Sequence, residues 1–335
     1  MIKVNAKAPT ASKETADGVS RLQPAPVDVC ICTFHRPEVI ETLRSVAAQT
    51  RLPSRVIVVD NAEEPEAAGR VSAQAALLGL TVVYIHAPAR NISLARNAAL
   101  NAARAPWLAF IDDDQFASPN WLSALLDRAA DGDVDAVLGP VDAIYDPAAQ
   151  VWLRRLNSHS TRPVFVGGKI LKGYAGNVLL KRSTLEAMDL SFDLALGRTG
   201  GEDDRFFLQM TGRGGRIGFA PNAVVYEPVP EARTRWGWLL KRNFRSGQTH
   251  GAHLAQGGSR GQRLRHGLVA ATKALACAGC ALASFPDPAR RAGWVLRGAM
   301  HLGAASRLAT KQQCAAQGPV RRNTVGKIAC RVQDR

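Results

Sequence analysis

Apolar residues along the chain fall into short unbroken runs, each followed by a stretch with the three-and-four spacing of a helix. The first run is Val27-Asp-Val-Cys-Ile-Cys-Thr-Phe34, after which Pro37 opens a helical pattern carrying Val39, Ile40, Leu43 and Val46. Val56-Ile-Val-Val-Asp60 repeats the theme and leads into a predicted helix from about Pro65 to Leu78. A third strand, Thr81 to Ile85, precedes a helix from Ser93 to Arg104. A fourth, Trp107-Leu-Ala-Phe-Ile111, precedes a helix from Pro119 to Ala130 and a strand from Ala136 to Val141. Buried strands alternating with helices of this length predict an α/β fold with a mostly parallel sheet and right-handed crossovers. The loops after strands one, two and four then lie along one edge, beyond the carboxyl ends where ligands of such sheets collect.

After Ala143 the regularity gives way to a polar, aromatic and glycine-rich middle, with Val166-Gly-Gly-Lys-Ile170 and Gly173-Tyr-Ala-Gly-Asn177. Such loops line sites or serve as plain hairpin connections. Asn177 to Lys181 reads as a strand, and Ser183-Thr-Leu-Glu186 fits a capping box for a short helix. Residues 216 to 229 read as a turn and a strand ending at Glu227. From Arg233 basic residues interleave with Trp236 and Trp238, a pattern that suits an interfacial helix on an anionic membrane, a loop clamping diphosphate, or a nucleic-acid face. The Ala-rich stretch 267–285, interrupted by Lys273, reads as a packing or interfacial helix rather than a convincing spanning one. The expected division is a flexible leader over 1–26, an α/β domain over 27–232 and a basic, partly apolar helical region over 233–335.

Composition sharpens this picture in two places. The chain has 335 residues and a net charge of +15, and residues 231–335 hold 19 Lys or Arg against three acids, so the whole excess is C-terminal. Six cysteines, at 30, 32, 277, 280, 314 and 330, fit reduced thiols rather than a disulfide framework, and Cys277-Ala-Gly-Cys280 sits in an apolar run that favours packing over metal or redox chemistry. The N-terminal segment has no apolar core of the signal-peptide kind. There is no Walker-type loop and no GxGxxG turn after a strand.

Two acidic clusters carry the candidate chemistry. Asp112-Asp113-Asp114 follows the fourth strand, where like charges repel unless a cation sits among them; Mg²⁺ or Mn²⁺ beside phosphate oxygens would suit, and a solvated turn capping the helix at Ser118-Pro119 is the competing account. Gly200-Gly-Glu-Asp-Asp204 opens another helix, where the acids either complement the helix dipole or offer a general base to a substrate hydroxyl.

The order of these features resembles the family 2 inverting glycosyltransferases of the GT-A fold, and among them bacterial exopolysaccharide enzymes of the succinoglycan type. The resemblance covers about residues 27 to 250 and rests on Cys32-Thr-Phe-His-Arg36, Val58-Val-Asp-Asn61, Arg90-Asn-Ile-Ser-Leu-Ala-Arg-Asn97, Phe110-Ile-Asp-Asp-Asp114, Gly176-Asn177 and Gly201-Glu-Asp-Asp204. It implies that Thr33, Arg36, Asp60, Arg96, Asp112 and Asp113 contact the donor nucleotide. Asp114 and Asp112 would ligate Mn²⁺ or Mg²⁺, with Glu227 standing where many relatives place histidine. Asp203, with Glu202 beside it, matches the catalytic base, and Gly176, Asn177, Arg235 and Trp236 are expected at the acceptor. Processive relatives carry Gln-x-x-Arg-Trp; here residue 232 is Ala, which favours addition of a single sugar.

The resemblance therefore implies a metal-dependent hexosyltransferase using a nucleotide-sugar donor, with UDP-glucose expected. The expected acceptor is a lipid-linked oligosaccharide at the anionic inner face of the bacterial plasma membrane. A sugar nucleotidyltransferase shares such a sheet but would show a glycine-rich basic loop after strand one, which Thr33-Phe-His-Arg36 is not. No nucleic-acid partner is expected, because an acidic cleft repels phosphates unless a cation intervenes.

Overall fold

The structure is a computed structural model that describes residues 26–255 and 258–310. Apart from Pro26, the expected leader lies outside the described residues. So does the end of the basic tail. In chain order the elements are β1 (Val27–Thr33), α1 (Val39–Ala47), β2 (Arg55–Asp60), α2 (Ala68–Leu78), β3 (Val82–His86), α3 (Ile92–Ala102), β4 (Trp107–Ile111), β5 (Phe116–Ala117) and α4 (Trp121–Ala130). There follow β6 (Ala136–Leu138), β7 (Val141–Ile144), α5 (Val151–Leu156), β8 (Phe165–Val166), β9 (Lys169–Ile170), β10 (Asn177–Lys181), α6 (Arg182–Ala187) and α7 (Glu202–Gly212). The last are β11 (Ile217–Phe219), β12 (Val225–Pro228), a 3₁₀ turn (Glu231–Thr234), α8 (Trp236–Ala255), α9 (Arg260–Ala283) and α10 (Pro288–Ala309).

Seven strands form the main sheet in the order β11-β6-β10-β4-β1-β2-β3, and every pairing is parallel except those of β10, which runs against both β4 and β6. The unbroken apolar runs are explained by burial on both faces. Val27, Val29 and Ile31 of β1 pack with Val39, Leu43, Trp121 and Leu125 on one side, while Cys30 joins Ile57, Val59, Leu108, Phe110 and Ala99 on the other. Asp28, between them, is fully buried and paired with Arg55 at 2.6 Å, and it also accepts from the backbone N–H groups of Arg104 and Ala105. Although burial opposes its charge, these partners hold its carboxyl below the usual carboxylate range.

A local expectation changes, and an open alternative is decided. The capping box at Ser183 does not form, because β10 runs straight into α6 and Lys181 takes the N-cap position; Ser183 is already inside the first turn. The glycine-rich middle contains a two-residue hairpin, β8–β9, turning at Gly167 and Gly168. A second sheet, β5-β12-β7, lies beyond the end of β4 and places Tyr226 opposite Phe116.

The C-terminal region is three helices, with α10 packed along both α8 and α9. Close crossing of α8 and α10 depends on glycine: a Cβ at Gly247 would strike the Met300 carbonyl, and one at Gly303 the Phe244 carbonyl. Leu239 and Leu296 join Leu153 of α5 in a small core that ties these helices to the sheet domain. Helix α9 buries only a narrow stripe, Ala270, Ala274, Cys277 and Ala281, so Cys277 has a packing place. Its leucines 264, 268, 275 and 282 are 60–78% exposed. By length and composition alone α9 is apolar enough to cross a membrane.

Candidate active site

The carboxyl ends of β1, β2 and β4 open on a cleft of about 400 Å³. Its charged lining sets Asp112, Asp113, Asp114 and Glu227 against Arg36, Arg90, Arg96 and Arg233. Thr33, Phe34 and Asn61 complete the floor and rim. The strand registers explain this assembly, because pairing Thr33 with Asp60 and Cys30 with Phe110 brings the loops that follow to one level.

Arg36, in the loop after β1, donates to Asp113 at 3.0 Å and also pairs with Asp114. Burial pushes the Asp113 carboxyl up to about 6, with Arg36 opposing the rise and Asp114 adding to it. Asp112 rises to about 7: burial leads, Arg96 opposes, and repulsion from Asp114, Asp203 and Asp113 adds to it. Although 41% of its side chain is open to solvent, this surface faces the cleft. Gly176 backs it, since a Cβ there would come within 2.6 Å of Asp112 Oδ2.

Arg96, on α3, is 6% exposed and joins the two acidic clusters. Its Nη1 donates to Glu202 at 2.8 Å and to Asp203 at 2.5 Å, its Nη2 lies 3.7 Å from Asp112, and its guanidinium stacks over Phe192. Burial alone would favour loss of its proton, but Asp203, Asp112 and Glu202 together outweigh that and hold it above the ordinary arginine value. The two acids behind it differ. Asp203 is 26% exposed and its second oxygen accepts from the Ala175 N–H at 3.1 Å. Glu202 is 8% exposed, its Oε2 has no hydrogen-bond partner among the described residues, and burial followed by Asp203 raises its pKa.

Glu227 reaches the cleft because β12 pairs with β5, directly after the acidic turn; there it accepts from Gln115 at 3.3 Å and from Arg233 at 2.9 Å. Arg233 also lies 3.9 Å from Asp114. Among the described residues no three carboxylate, histidine or cysteine side chains converge as a ready-made metal cage. Yet Asp114 and Glu227 already face one cationic group, and two carboxylates completed by phosphate and water are a donor set that Mg²⁺ or Mn²⁺ takes. The residues therefore fit such an ion.

Other expected site residues are not brought together here. Asp60 is 1% exposed and outside the cleft; it accepts from the N–H groups of Ala62 and Ala67 and from Tyr84 Oη, so it shapes the loop and Asn61 faces the cleft instead. Asn177, expected at the acceptor, is fully buried, accepts from Trp121 Nε1 and donates to the carbonyls of Pro140 and Ala223. Arg235 pairs with Glu231 on the surface, and Trp236 stacks on Trp152 at 4.7 Å; neither lines the cleft. Sequence reasoning did not single out Arg90 or Arg233 as site residues. Arg233 stood in the basic-aromatic segment, and Arg90 opens the Arg90–Asn97 motif. Arg90 and His35 hold left-handed backbone, φ 48° and 52°, at the cleft mouth, where both pair with Glu63.

The model of the family described as Glycosyl transferase family 2 matches residues 28–188. The succinoglycan biosynthesis protein ExoM of Rhizobium meliloti is 44% identical over 285 residues, 84% of this chain and 92% of the relative. A glucosyl-dolichyl phosphate glucuronosyltransferase of Haloferax volcanii is 27% identical over 245 residues, 66% of this chain and 75% of the relative. The mannosyltransferase PcManGT of Pyrobaculum calidifontis, solved with GDP-Man and Mn²⁺, superposes with a TM-score of 0.58 at 21% identity, covering 87% of this chain and 89% of the other, and so shares the GT-A type of fold.

Proposed function

The chain belongs to glycosyl transferase family 2, and from that premise we propose that it adds one sugar, from a nucleotide-sugar donor, to a lipid-linked oligosaccharide during exopolysaccharide assembly. UDP-glucose is the donor to test first. The observation that carries this reading is Arg96, which couples Asp112 on the donor cleft to Asp203 at the start of α7, so that a donor site and a candidate base are one connected unit.

In this mechanism Arg36 and Arg233 meet the donor diphosphate, and Thr33 and Asn61 lie beside the nucleoside. Asp114, Glu227 and Asp112 are the residues that would hold Mn²⁺ or Mg²⁺. When bound, that ion supplies positive charge to the departing diphosphate. Asp203 accepts the proton of the acceptor hydroxyl as that oxygen attacks the anomeric carbon. The bond from that carbon to the diphosphate oxygen breaks, the nucleoside diphosphate leaves with the electron pair, and the configuration inverts. Arg96 holds Asp203 in place, and Gly176 leaves room for Asp112.

Residues 27–232 are assigned as the catalytic domain and 233–335 as the acceptor- and membrane-associating region, at the cytoplasmic face of the plasma membrane, with Arg233 at the junction reaching back into the donor cleft. The exposed leucines of α9 and the C-terminal excess of basic residues support this placement. Incubation of purified protein with Mn²⁺ and a panel of nucleotide sugars, with membrane extract as acceptor source, should release nucleoside diphosphate from one donor. Absence of release from every donor, with and without extract, refutes the reading.

A further inference from the structure

Behind the donor cleft the chain forms a second hollow of about 380 Å³, between residues 199–201 and α8. Its α8 wall carries Trp238, Lys241, Arg242, Arg245 and Thr249. A neighbouring hollow of about 260 Å³ extends from the same loop past Arg205 and Arg307. The electrostatics differ in kind from those of the donor cleft. There four carboxylates face four arginines, whereas among the described residues no carboxylate lines either α8 hollow. Lys241 and Arg242 have no carboxylate within ion-pair distance among the described residues. Arg245 donates, among the described residues, only to the Thr199 carbonyl, at 3.2 Å. Arg205 in the neighbouring hollow is already paired with Asp193, and Glu227 acts on Arg242 from a distance. But Lys241, Arg242 and Arg245 form no ion pair among the described residues, and such a group suits a multiply charged anion, which arginine and lysine bind through charge-assisted hydrogen bonds.

The hollow is tied to the chemistry on both sides. Gly197 lines the donor cleft and Thr199 to Gly201 line the α8 hollows, so one short loop is the wall between them, and Asp203 follows two residues later. Trp238 bridges the same boundary, with Arg242 at 5.3 Å from its ring and the donor cleft's Arg233 at 5.8 Å. The loop that walls the α8 groove thus runs directly into the helix that carries Asp203.

We propose that the groove formed by Lys241, Arg242 and Arg245 against the 199–201 loop binds the phosphate or diphosphate group of the acceptor, separately from the donor diphosphate. This rests on the glycosyltransferase reading for the word acceptor, but not for the anion site itself. The test uses the full chain and farnesyl diphosphate, a soluble polyprenyl diphosphate, with binding measured by calorimetry without added metal. Lys241→Gln combined with Arg242→Gln should weaken binding about tenfold or more, while Arg36→Gln in the donor cleft should leave it unchanged. Inorganic pyrophosphate should compete, and neutral farnesol should not bind. Equal binding of farnesol, or a loss caused by Arg36→Gln and not by the double variant, overturns the proposal. Phosphatidylglycerol vesicles separate the two sources of the anion. If they displace farnesyl diphosphate completely and the double variant loses vesicle binding, the groove is a headgroup site and the acceptor assignment is wrong. Should the double variant fail to fold, Lys241→Gln alone and a salt titration of the parent protein carry the same comparison, because both side chains are exposed. Groove binding that persists while no donor releases nucleotide would sink the enzymatic reading and leave the anion site standing.

Discussion

Replacing Asp203 by asparagine separates its proposed role as base from a merely structural one. The two side chains have the same shape, so the perturbation is the loss of the charge and of one acceptor position. Asp203 accepts from Arg96 at 2.5 Å and from the Ala175 N–H at 3.1 Å; asparagine keeps one carbonyl oxygen for these two donors. Losing a hydrogen bond to a charged partner costs about 1.5–3 kcal/mol, lessened here because Asp203 is 26% exposed and Glu202 still pairs with Arg96. The fold should survive with a modest drop in Tm. Catalysis should not, since a positioned general base contributes about 10²–10⁴ in rate, or roughly 3–5 kcal/mol of barrier. The assay is nucleoside diphosphate release at saturating donor, beside calorimetric donor binding. Asp203→Asn should lower kcat by that factor and leave donor affinity within about threefold, since Asp203 does not line the donor cleft. Glu202→Gln is the companion. Glu202 is nearly buried, so its loss should shift Tm more than kcat. A folded Asp203→Asn enzyme retaining kcat within about tenfold would remove Asp203 as the base, and a larger kcat loss in Glu202→Gln would move the role one residue back.

Gly176→Ala should displace the Asp112 carboxylate, because the new Cβ lies 2.6 Å from its Oδ2, and Mn²⁺-dependent donor affinity should fall about tenfold with Tm nearly unchanged; unchanged affinity would show that the position of Asp112 is immaterial. Asn177→Ala should lower stability by about 3 kcal/mol or more, since it strands the Trp121 Nε1–H and two carbonyls in the core, and Tm should drop by roughly 6–12 °C with acceptor KM unaltered in the surviving enzyme. His159 is 6% exposed and its pKa is driven down to about 4, chiefly by burial and then by Arg242. The unfolded chain thus binds a proton at a higher pH than the folded one, so stability should be full above about pH 6.5 and fall by about 2–3 kcal/mol as pH drops to 4. Urea midpoints across that range should flatten in His159→Gln, and an equally steep profile would point to other groups. Leu268→Glu with Leu275→Glu should abolish co-sedimentation with anionic vesicles while leaving donor binding intact, because both leucines are exposed on α9, far along the chain from the cleft. Retained sedimentation would assign attachment to charge alone.

Much of the fold could be read because its signal is local. Strands buried on both faces must be apolar throughout, and helices lying on a sheet must repeat at helical spacing, so β1 to β4 and their helices stood out within three residues of their observed limits. Arg36, Asn61 and Asp112 to Asp114, in the loops directly after β1, β2 and β4, marked the cleft for the same reason, since a parallel sheet sends every such loop to one edge. The reversal of β10 left no trace, because a strand between two others is equally apolar whichever way it runs. The unformed capping box at Ser183 shows the same limit: the residues were suitable, and the strand preceding them took the position.

The sequence by itself determined the α/β architecture, the edge on which ligands would gather, the two acidic clusters and the concentration of positive charge after residue 231. Tertiary structure alone decided which polar side chains are available for chemistry. Asp60 and Asn177 have hydrogen-bonding capacity like that of any site residue, but theirs is consumed by backbone and core partners, whereas Asp203 keeps a face toward solvent. It also decided that Arg96 would join the clusters at 112–114 and 202–204, far apart in sequence, and that β12 would carry Glu227 beside Gln115. The physical reason is that a carboxylate or an amide is defined by what surrounds it, and those surroundings come from strands and helices distant in the chain. Local pattern tells where a charged group can emerge. Only the packed structure tells which partner meets it there.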